Sequence, residues 1–378
     1  MKILTIDDQT LILLSVEKRL QELGYTVMKA DTGKDGLTIF SSFEPDLVLV
    51  DINMPDMNGL DVVERIRAME KKKTPILVMS GNTDEDIIMK GFELGVDDYM
   101  KKPVSLNEMV ARIKRLIGSP KLQHISIDAD ARMLQKHCVG VVIPCYNEEE
   151  RLSSKEFKDF AHKNLGYHLC FVNDGSTDNT LEVLEELRAG NQNNISVYNC
   201  KKNGGKAEAV RQGMLHLEQD SQLDYIGFLD ADLSTDFRDF DELVQTLEDS
   251  EYKIVSGSRM SRMGANITKE SARKIISMTI NLIIRSILKM PFNDTQCGAK
   301  ILERDIVKML FDKPFITKWL FDVEIFMRMR KHYGKQEVQK YICEQPLKRW
   351  IHADGSKLSM KDSIKIVGQL AKIAVVYK

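Results

Sequence analysis

Short apolar runs rich in β-branched residues recur through residues 1–118, and the segments between them carry apolar side chains at helical spacing. Such regular alternation restricts the chain to an α/β architecture, with parallel strands and helices on both faces of the sheet. The runs predict strands over 2–6, 25–29, 46–50, 75–79 and 96–99, with helices over 10–23, 33–43, 58–70, 84–94 and 105–117. Gly118, Ser119 and Pro120 close that series, because glycine and proline together end a helix. Residues 119–136 have weak periodicity and read as a linker holding at most a short helix. A second series opens at Val139, with strands expected over 139–143, 168–172, 195–199, 225–229 and 253–257. After Arg259 the alternation fades into helices and loops. Two domains follow, 1–118 and 137–378, which suits 378 residues at roughly 100–200 residues per domain.

Hydrophobic residues at 43% and charged residues at 29% are enough for a separate core in each domain, and a net charge of −2 argues against duplex DNA as a partner. Six cysteines, Cys138, Cys145, Cys170, Cys200, Cys297 and Cys343, show no paired spacing and read as free thiols in a reducing compartment. The first strand begins at residue 2 with no basic leader before it, so the expected location is cytoplasmic. The longest apolar stretch, near 275–288, is interrupted by Asn281 and Arg285 and falls short of the roughly 20 apolar residues that a membrane span needs. Residues 360–378 are amphipathic, with Ile364, Val367, Leu370, Ile373 and Ala374 at helical spacing. They predict a packed terminal helix, with peripheral attachment at the inner membrane face as the functional alternative.

Asp7 and Asp8 follow the first strand and Asp51 ends the third, so a parallel sheet brings all three to its carboxyl edge, where such folds bind ligands. Crowded carboxylates repel unless a divalent cation neutralises them, and hard oxygen donors suit Mg²⁺. Ser80 closes the fourth strand and Lys102 follows the fifth, placing a hydroxyl and an ammonium where they can bind the oxygens of a phosphoryl group on Asp51. Asp7-Asp8, Asp51-x-x-Met54-Pro55, Gly59, Ser80-Gly81, Gly95-x-Asp97-Asp98-Tyr99 and Lys102-Pro103 together resemble the receiver domain of two-component response regulators. The resemblance implies a flavodoxin-like (βα)5 fold with a doubly wound parallel sheet. It also implies that Asp51 is phosphorylated by a histidine kinase or phosphotransfer protein. Mg²⁺ would be held by Asp8, Asp51 and the carbonyl of Asn53, with Asp7 supporting its waters. Ser80 and Tyr99 would form the switch pair, and Lys102 would pair with the phosphate. A homodimer through this domain is a further partner expectation.

Residues 225–229 form an apolar strand run that delivers Asp230-Ala231-Asp232 to its end, where paired carboxylates suit a cation carrying a diphosphate leaving group. Asn173-Asp174-Gly175-Ser176-Thr177-Asp178 places another acid after a strand, and Asn203-Gly204-Gly205-Lys206 places a flexible turn and a cation before a helix. With Val142-Ile143-Pro144-Cys145-Tyr146-Asn147-Glu148-Glu149 and Ala209-x-Arg211-x-Gly213, these segments resemble family 2 glycosyltransferases. The later blocks, Asp294-Thr295-Gln296-Cys297-Gly298-Ala299-Lys300, Trp319-Leu320-Phe321-Asp322-Val323-Glu324 and Gly355-Ser356-Lys357-Leu358, resemble the dolichyl-phosphate glucosyltransferase branch.

That resemblance implies a GT-A fold, Rossmann-like with a mixed sheet, and inverting transfer from a UDP- or GDP-sugar to a polyprenyl phosphate or another acceptor. Pro144, Tyr146, Glu148 and Asp174 would line the nucleotide pocket, with Lys206 and Arg211 beside it. Asp230 and Asp232 would manage the sugar diphosphate and Mg²⁺ or Mn²⁺. Arg259 directly follows a strand and is the arginine expected to meet the diphosphate, in preference to Arg262, Arg273, Lys274 and Arg285. Asp322 is the expected general base for a hydroxyl acceptor, or an orienting group for a phosphate acceptor. The competing reading places Asp322 and Glu324 in an exposed turn near a helix start. His352 reads as a surface histidine. A nucleotidyltransferase also uses Asp-x-Asp, but the blocks at 295–298 and 355–357 argue against it. The alternative from another class is a signalling adaptor whose second domain binds nucleotide sugar or a protein without turnover.

Overall fold

A computed structural model of the chain describes residues 1–70, 72–81, 85–120, 133–259, 266–267, 271–350 and 360–377. It divides into two compact units, Met1–Cys138 with Asp159–Tyr167, and Val139–Lys158 with His168–Lys378.

In the first unit β1 (Lys2–Ile6), α1 (Thr10–Glu22), β2 (Thr26–Ala30), α2 (Gly33–Phe43), β3 (Leu47–Asp51), α3 (Gly59–Met69), β4 (Ile76–Ser80), α4 (Glu85–Glu93) and β5 (Asp98–Lys101) alternate as the sequence predicts. A short β6 (Val104–Ser105) leads into α5 (Leu106–Ile117). The strands pair in parallel in the order β2-β1-β3-β4-β5. Strand side chains alternate between faces, and two apolar clusters follow that parity. Ile3, Leu47, Leu49, Leu77 and Met79 pack with α1 and α5, while Leu4, Ile6, Val48, Val50, Ile76 and Val78 pack with α2 and α3. The sheet is therefore covered on both sides, which is why β3 and β4 are apolar at every position but the last. Ser105 caps α5 by accepting from Glu108 N at 3.0 Å, an arrangement that contributes about 1 kcal/mol. Gly118 then turns the chain at a φ of 82°.

From residue 133 onward the elements are β7 (Met133–Cys145), α6 (Ser154–Lys163), β8 (Asn164–Asn173), α7 (Thr180–Arg188), β9 (Ile195–Asn199), α8 (Lys206–Glu218), β10 (Tyr225–Leu229), α9 (Phe237–Glu248), β11 (Ile254–Ser258) and β12 (Asn266–Ile267). They continue with α10 (Ser271–Leu288), β13 (Ala299–Glu303), α11 (Arg304–Phe311), α12 (Phe321–Tyr333), β14 (Ile342–Pro346), β15 (Arg349–Trp350) and α13 (Met360–Val376). The main sheet runs β14-β11-β13-β10-β7-β8-β9. It is mixed: β13 lies antiparallel between β10 and β11, whereas β10 with β7, β8 with β9, and β11 with β14 are parallel.

Two sequence expectations change here. Met133 to Lys136, placed in the linker, already belong to β7, and residues 121–132 lie outside the described residues. The region beyond Arg259, read as helices and loops, also contributes β13 and β14 to the sheet. Both strands hide their character. Lys300 interrupts the apolar run of β13, and β14 carries Glu344, Gln345 and Pro346.

Helix α12 organises the second unit, because every residue from Phe321 to Arg330 is buried. Its arginines satisfy the carbonyls that neighbouring helix ends leave open. Arg328 donates to the carbonyls of Leu310, Lys313 and Pro314, and Arg330 to those of Ile287 and Leu288. Cys138, Cys145, Cys170 and Cys297 are buried free thiols, and Cys200 and Cys343 are partly buried and also free. Among the described residues no helix is long and apolar enough to cross a membrane.

Candidate functional site

In the first unit the ends of β1, β3, β4 and β5 bring the predicted residues together. Lys102 Nζ lies 2.7 Å from Asp7 Oδ2 and 2.8 Å from Asp51 Oδ1, and all three side chains are buried. Burial works against the Lys102 ammonium, but Asp7 and Asp51 together raise its proton affinity above the ordinary lysine value. Asp7 is raised by burial, with Lys102 opposing. Asp8, partly buried, is pushed up to about 6 by burial and then by the charges of Asp7 and Asp51. Asp51 Oδ2 accepts the Asn53 amide at 2.7 Å, which tethers the acid to the following loop. Gly59 permits that loop to close, since a Cβ there would stand 2.0 Å from the Asp51 carbonyl oxygen. The Tyr99 hydroxyl and Ser80 are hydrogen-bonded to each other, so the expected switch pair is in contact.

Among the described residues no three His, Cys, Asp or Glu side chains form a ready-made metal cage. The receiver-type donor set differs from such a cage, because it combines two carboxylates with a backbone carbonyl. The raised Asp8, crowded by two neighbouring acids, is the observation that fits a cation there.

In the second unit the carboxyl ends of β7, β8 and β10 carry the motifs. Asp174 is buried and accepts both the Gly204 and Gly205 amides at 2.8 Å, fixing the turn that opens α8. Gly205 takes a φ of 86° there, a conformation that glycine adopts without strain. Lys206, the first residue of α8, places Nζ 2.5 Å from Asp230 Oδ1. Asp232 Oδ1 accepts only the Ser234 amide among the described residues, at 2.9 Å. Glu148 Oε1 pairs with Arg151 at 2.7 Å, while its other oxygen is buried without a hydrogen bond among the described residues. Burial raises the Glu148 carboxyl, Arg151 opposes, and Asp232 adds to the rise. A carboxylate raised by a neighbouring acid suits a shared cation, and Asp232 has acceptor capacity to spare. Tyr146 is exposed beside them and Pro144 is half-buried.

The later blocks close on the same edge. Gly298 lies flat against Asp230, for a Cβ there would stand 2.0 Å from Oδ2. Asp322 is buried at the start of α12, and its Oδ1 lies 2.7 Å from Lys300 Nζ. Glu324 is wholly buried, accepting the Ile316 and Thr317 amides at 3.0 Å each. Asp322 and Glu324 are therefore not in an exposed turn. Arg259 is held by Asp294 through Nε at 2.7 Å, Nη2 at 2.8 Å and its own amide at 2.9 Å. Glu344 in turn accepts the Asp294 amide at 2.7 Å.

Arg211, expected beside the nucleotide, is engaged within the protein. It pairs with Glu208 and donates to the carbonyls of Phe311 and Asp312, joining α8 to the end of α11. A cleft of about 430 Å³ is lined by Asn173, Gly175, Asp178, Glu182, Cys200 and Lys201 among others, but by none of Asp174, Asp230, Asp232 and Asp322. The Gly355–Leu358 block, Arg262 and His352 lie outside the described residues, as do the side chains of Arg273 and Lys274. Sequence reasoning missed Lys300, Glu344 and the structural use of Glu324. Lys300 had a visible signal, a cation set between Ala299 and the apolar pair Ile301-Leu302.

A parallel five-stranded unit with this acid–lysine cluster defines a receiver, and the mixed-sheet unit with Asp230 and Asp232 at its edge defines a GT-A transferase. Residues 3–114 match the response regulator receiver domain and residues 140–311 match glycosyl transferase family 2. The chain is 31% identical over 253 residues to dolichyl-phosphate beta-glucosyltransferase ALG5D of Trichomonas vaginalis, covering 64% of this chain and 74% of that protein. It is 30% identical over 318 residues to ALG5A of the same organism, covering 80% of this chain and 90% of the relative. Its first part is 37% identical over 121 residues to the cell cycle transcriptional regulator CtrA of Caulobacter vibrioides, 32% of this chain and 52% of that protein. The chain belongs to glycosyl transferase family 2 and carries a response regulator receiver domain ahead of the transferase.

Proposed function

We propose that the second unit is an inverting transferase that moves a sugar from a UDP- or GDP-sugar to a polyprenyl phosphate, under control of phosphorylation at Asp51. The functional domains are taken as 1–118 and 137–378. The observation that carries the reading is one edge of the sheet where Lys206 pairs with Asp230 and a buried Asp322 stands within electrostatic reach of both. The relatives named for dolichyl-phosphate glucosyl transfer support a lipid-phosphate acceptor and glucose as the first sugar to test.

Asp232, with Asp230, would hold Mg²⁺ or Mn²⁺, which when bound offsets the charge of the departing nucleoside diphosphate. Lys206 pairs with Asp230 at that edge, and its ammonium would also meet the oxygens of the diphosphate. Asp322 accepts the proton of a hydroxyl acceptor, or orients an acceptor phosphate that is already anionic. In the receiver Asp8, Asp51 and the Asn53 carbonyl would hold Mg²⁺, which neutralises phosphoryl charge, while Lys102 pairs with the phosphate. A histidine kinase or phosphotransfer protein is the proposed phosphoryl source, and no DNA partner is proposed.

Asp232→Ala is expected to abolish release of nucleoside diphosphate from UDP-glucose or GDP-mannose with a polyprenyl phosphate and Mn²⁺, while the melting temperature stays within a few degrees. Unchanged turnover in that variant refutes the transferase reading in favour of a binding adaptor. Acetyl phosphate with Mg²⁺ is expected to add one phosphoryl group by intact mass to the wild type and none to Asp51→Asn, and to change transfer rate or oligomeric state only in the wild type. If both are unchanged in phosphorylated wild type, regulation through Asp51 is lost as an explanation.

A further inference from the structure

Lys300 occupies a position that a lysine rarely tolerates. It is the second residue of β13, a strand hydrogen-bonded on both sides, with register partners Phe228 on β10 and Ser256 on β11. Its side chain is 0% exposed. Burying an ammonium costs several kcal/mol (on the order of 20 in the idealised limit) unless hydrogen bonds and an opposite charge compensate it. Both compensations are present. Nζ donates to the Cys297 carbonyl at 2.7 Å and to Asp322 Oδ1 at 2.7 Å, and it lies 5.4 Å from the centroid of the Phe228 ring.

From the side of Asp322 the dependence is equally plain. The carboxylate makes no other hydrogen bond among the described residues. The charged groups facing it are Lys300 from β13, Lys206 from the start of α8 and Asp230 from the end of β10. Burial raises its carboxyl, and Lys300 is the largest force in the opposite direction, ahead of Lys206. A fold needing only an apolar core could fill the Lys300 site with methionine and the Asp322 site with leucine, often with no loss of stability. The pair therefore reads as functional apparatus, lying at the edge shared by Asp230 and Lys206.

We propose that Lys300 is a positioning residue of the transfer centre, whose ammonium, anchored by the Cys297 carbonyl, holds Asp322 in one orientation toward the acceptor. This inference rests on the transferase reading above and specifies how its acidic group is kept competent. The Cys297 carbonyl and Lys300 Nζ also link Asp322 to the segment that lies against Asp230 through Gly298, so donor and acceptor sides meet at the entry to β13.

The test uses the full chain and four proteins: wild type, Lys300→Met, Asp322→Asn and the double variant. Transfer from UDP-glucose and GDP-mannose to a polyprenyl phosphate is measured from pH 5 to 9, together with UDP and GDP affinity and melting temperature. For Lys300→Met the expected result is a loss of about tenfold or more at neutral pH, with the acid limb displaced upward by about one pH unit or more and partial recovery at high pH. UDP or GDP affinity stays within about twofold. The double variant is expected to be no slower than Asp322→Asn and to melt higher than Lys300→Met, because removing both charges leaves neither uncompensated. An equal loss at every pH, or a double variant slower than Asp322→Asn, overturns the positioning role. If Lys300→Met does not fold, the comparison of the double variant with Asp322→Asn still decides it. A wild type that transfers from no nucleotide sugar refutes the transferase reading itself, and this inference with it.

Discussion

Replacing Gly298 by alanine isolates the contact between the two halves of the transfer site. A Cβ built there stands 2.0 Å from Asp230 Oδ2, 2.3 Å from its Cγ and 2.7 Å from Oδ1. Reaching even about 3.4 Å, the near side of ordinary van der Waals distance, requires the carboxylate or the 298 backbone to move by more than about 1 Å. Either shift disturbs the 2.5 Å pairing of Asp230 with Lys206. A misplacement of about 1 Å in a reacting constellation lowers rates by roughly 10²-fold, equivalent to about 2.7 kcal/mol of barrier. The assay is single-turnover transfer from UDP-glucose or GDP-mannose at saturating donor, with the melting temperature and circular dichroism of the same sample recorded alongside. The expected outcome is a loss near two orders of magnitude with the fold retained. A Gly298→Ala protein with an unchanged melting point and a rate within about threefold of wild type would show that Asp230 need not stay where the glycine lets it lie.

In the receiver, Asp8→Asn is expected to stabilise the metal-free protein. The Asp8 carboxyl sits at about 6 against an ordinary value near ~3.9, a difference of about 3 kcal/mol at most and about 1–2 after discounting for its partial exposure. Because the folded value is raised, the contribution of protonated Asp8 is complete below about 3.9 and is lost as pH rises through about 6. The advantage of the variant, read from hydrogen exchange in β1 and β3 peptides, is therefore largest at pH 7 and shrinks toward pH 4. A gap independent of pH contradicts this account. Glu324→Ala removes the acceptor for the Ile316 and Thr317 amides and is expected to cost about 2–4 kcal/mol of stability. Urea unfolding followed by tryptophan fluorescence, to which the exposed Trp319 contributes, measures it; a cost below about 0.5 kcal/mol contradicts the clasp.

The sequence was most legible where one residue pattern had one structural meaning. Strands β1 to β5 fall within two residues of their expected bounds, since a parallel sheet covered on both faces demands unbroken apolar runs ended by turns. Asp7, Asp51 and Ser80 were legible for the same reason, each standing at the polar end of such a run, and Lys102 because it directly precedes Pro103 after the fifth. Legibility failed where side chains serve through partners distant in sequence. Arg211 reads from its motif as a neighbour of the nucleotide, and its contacts with carbonyls about a hundred positions away are not visible in the sequence. Lys300 falls in a stretch that reads as helices and loops, and only the three-dimensional approach of Asp322 shows why a lysine stands there. Glu324 and Asp322, two positions apart on one helix, take different tasks because one faces the preceding loop and the other β13.

The reversed direction of β13 has a consequence for how this edge of the sheet is put together. Ala299 pairs with Leu229, so the segment entering β13 meets the segment leaving β10 at a single corner of the sheet. A parallel strand in that slot would deliver its entry loop to the opposite end. Because the chain runs backwards here, residues 294–298 arrive at the end of β10 and lie against Asp230 through Gly298, although they are encoded well apart from the turns at 144–148 and 173–178. Within this segment, Gly298 meets Asp230 and the Cys297 carbonyl meets Lys300, so this one corner couples the end of β10 to the start of α12 through a stretch of five residues.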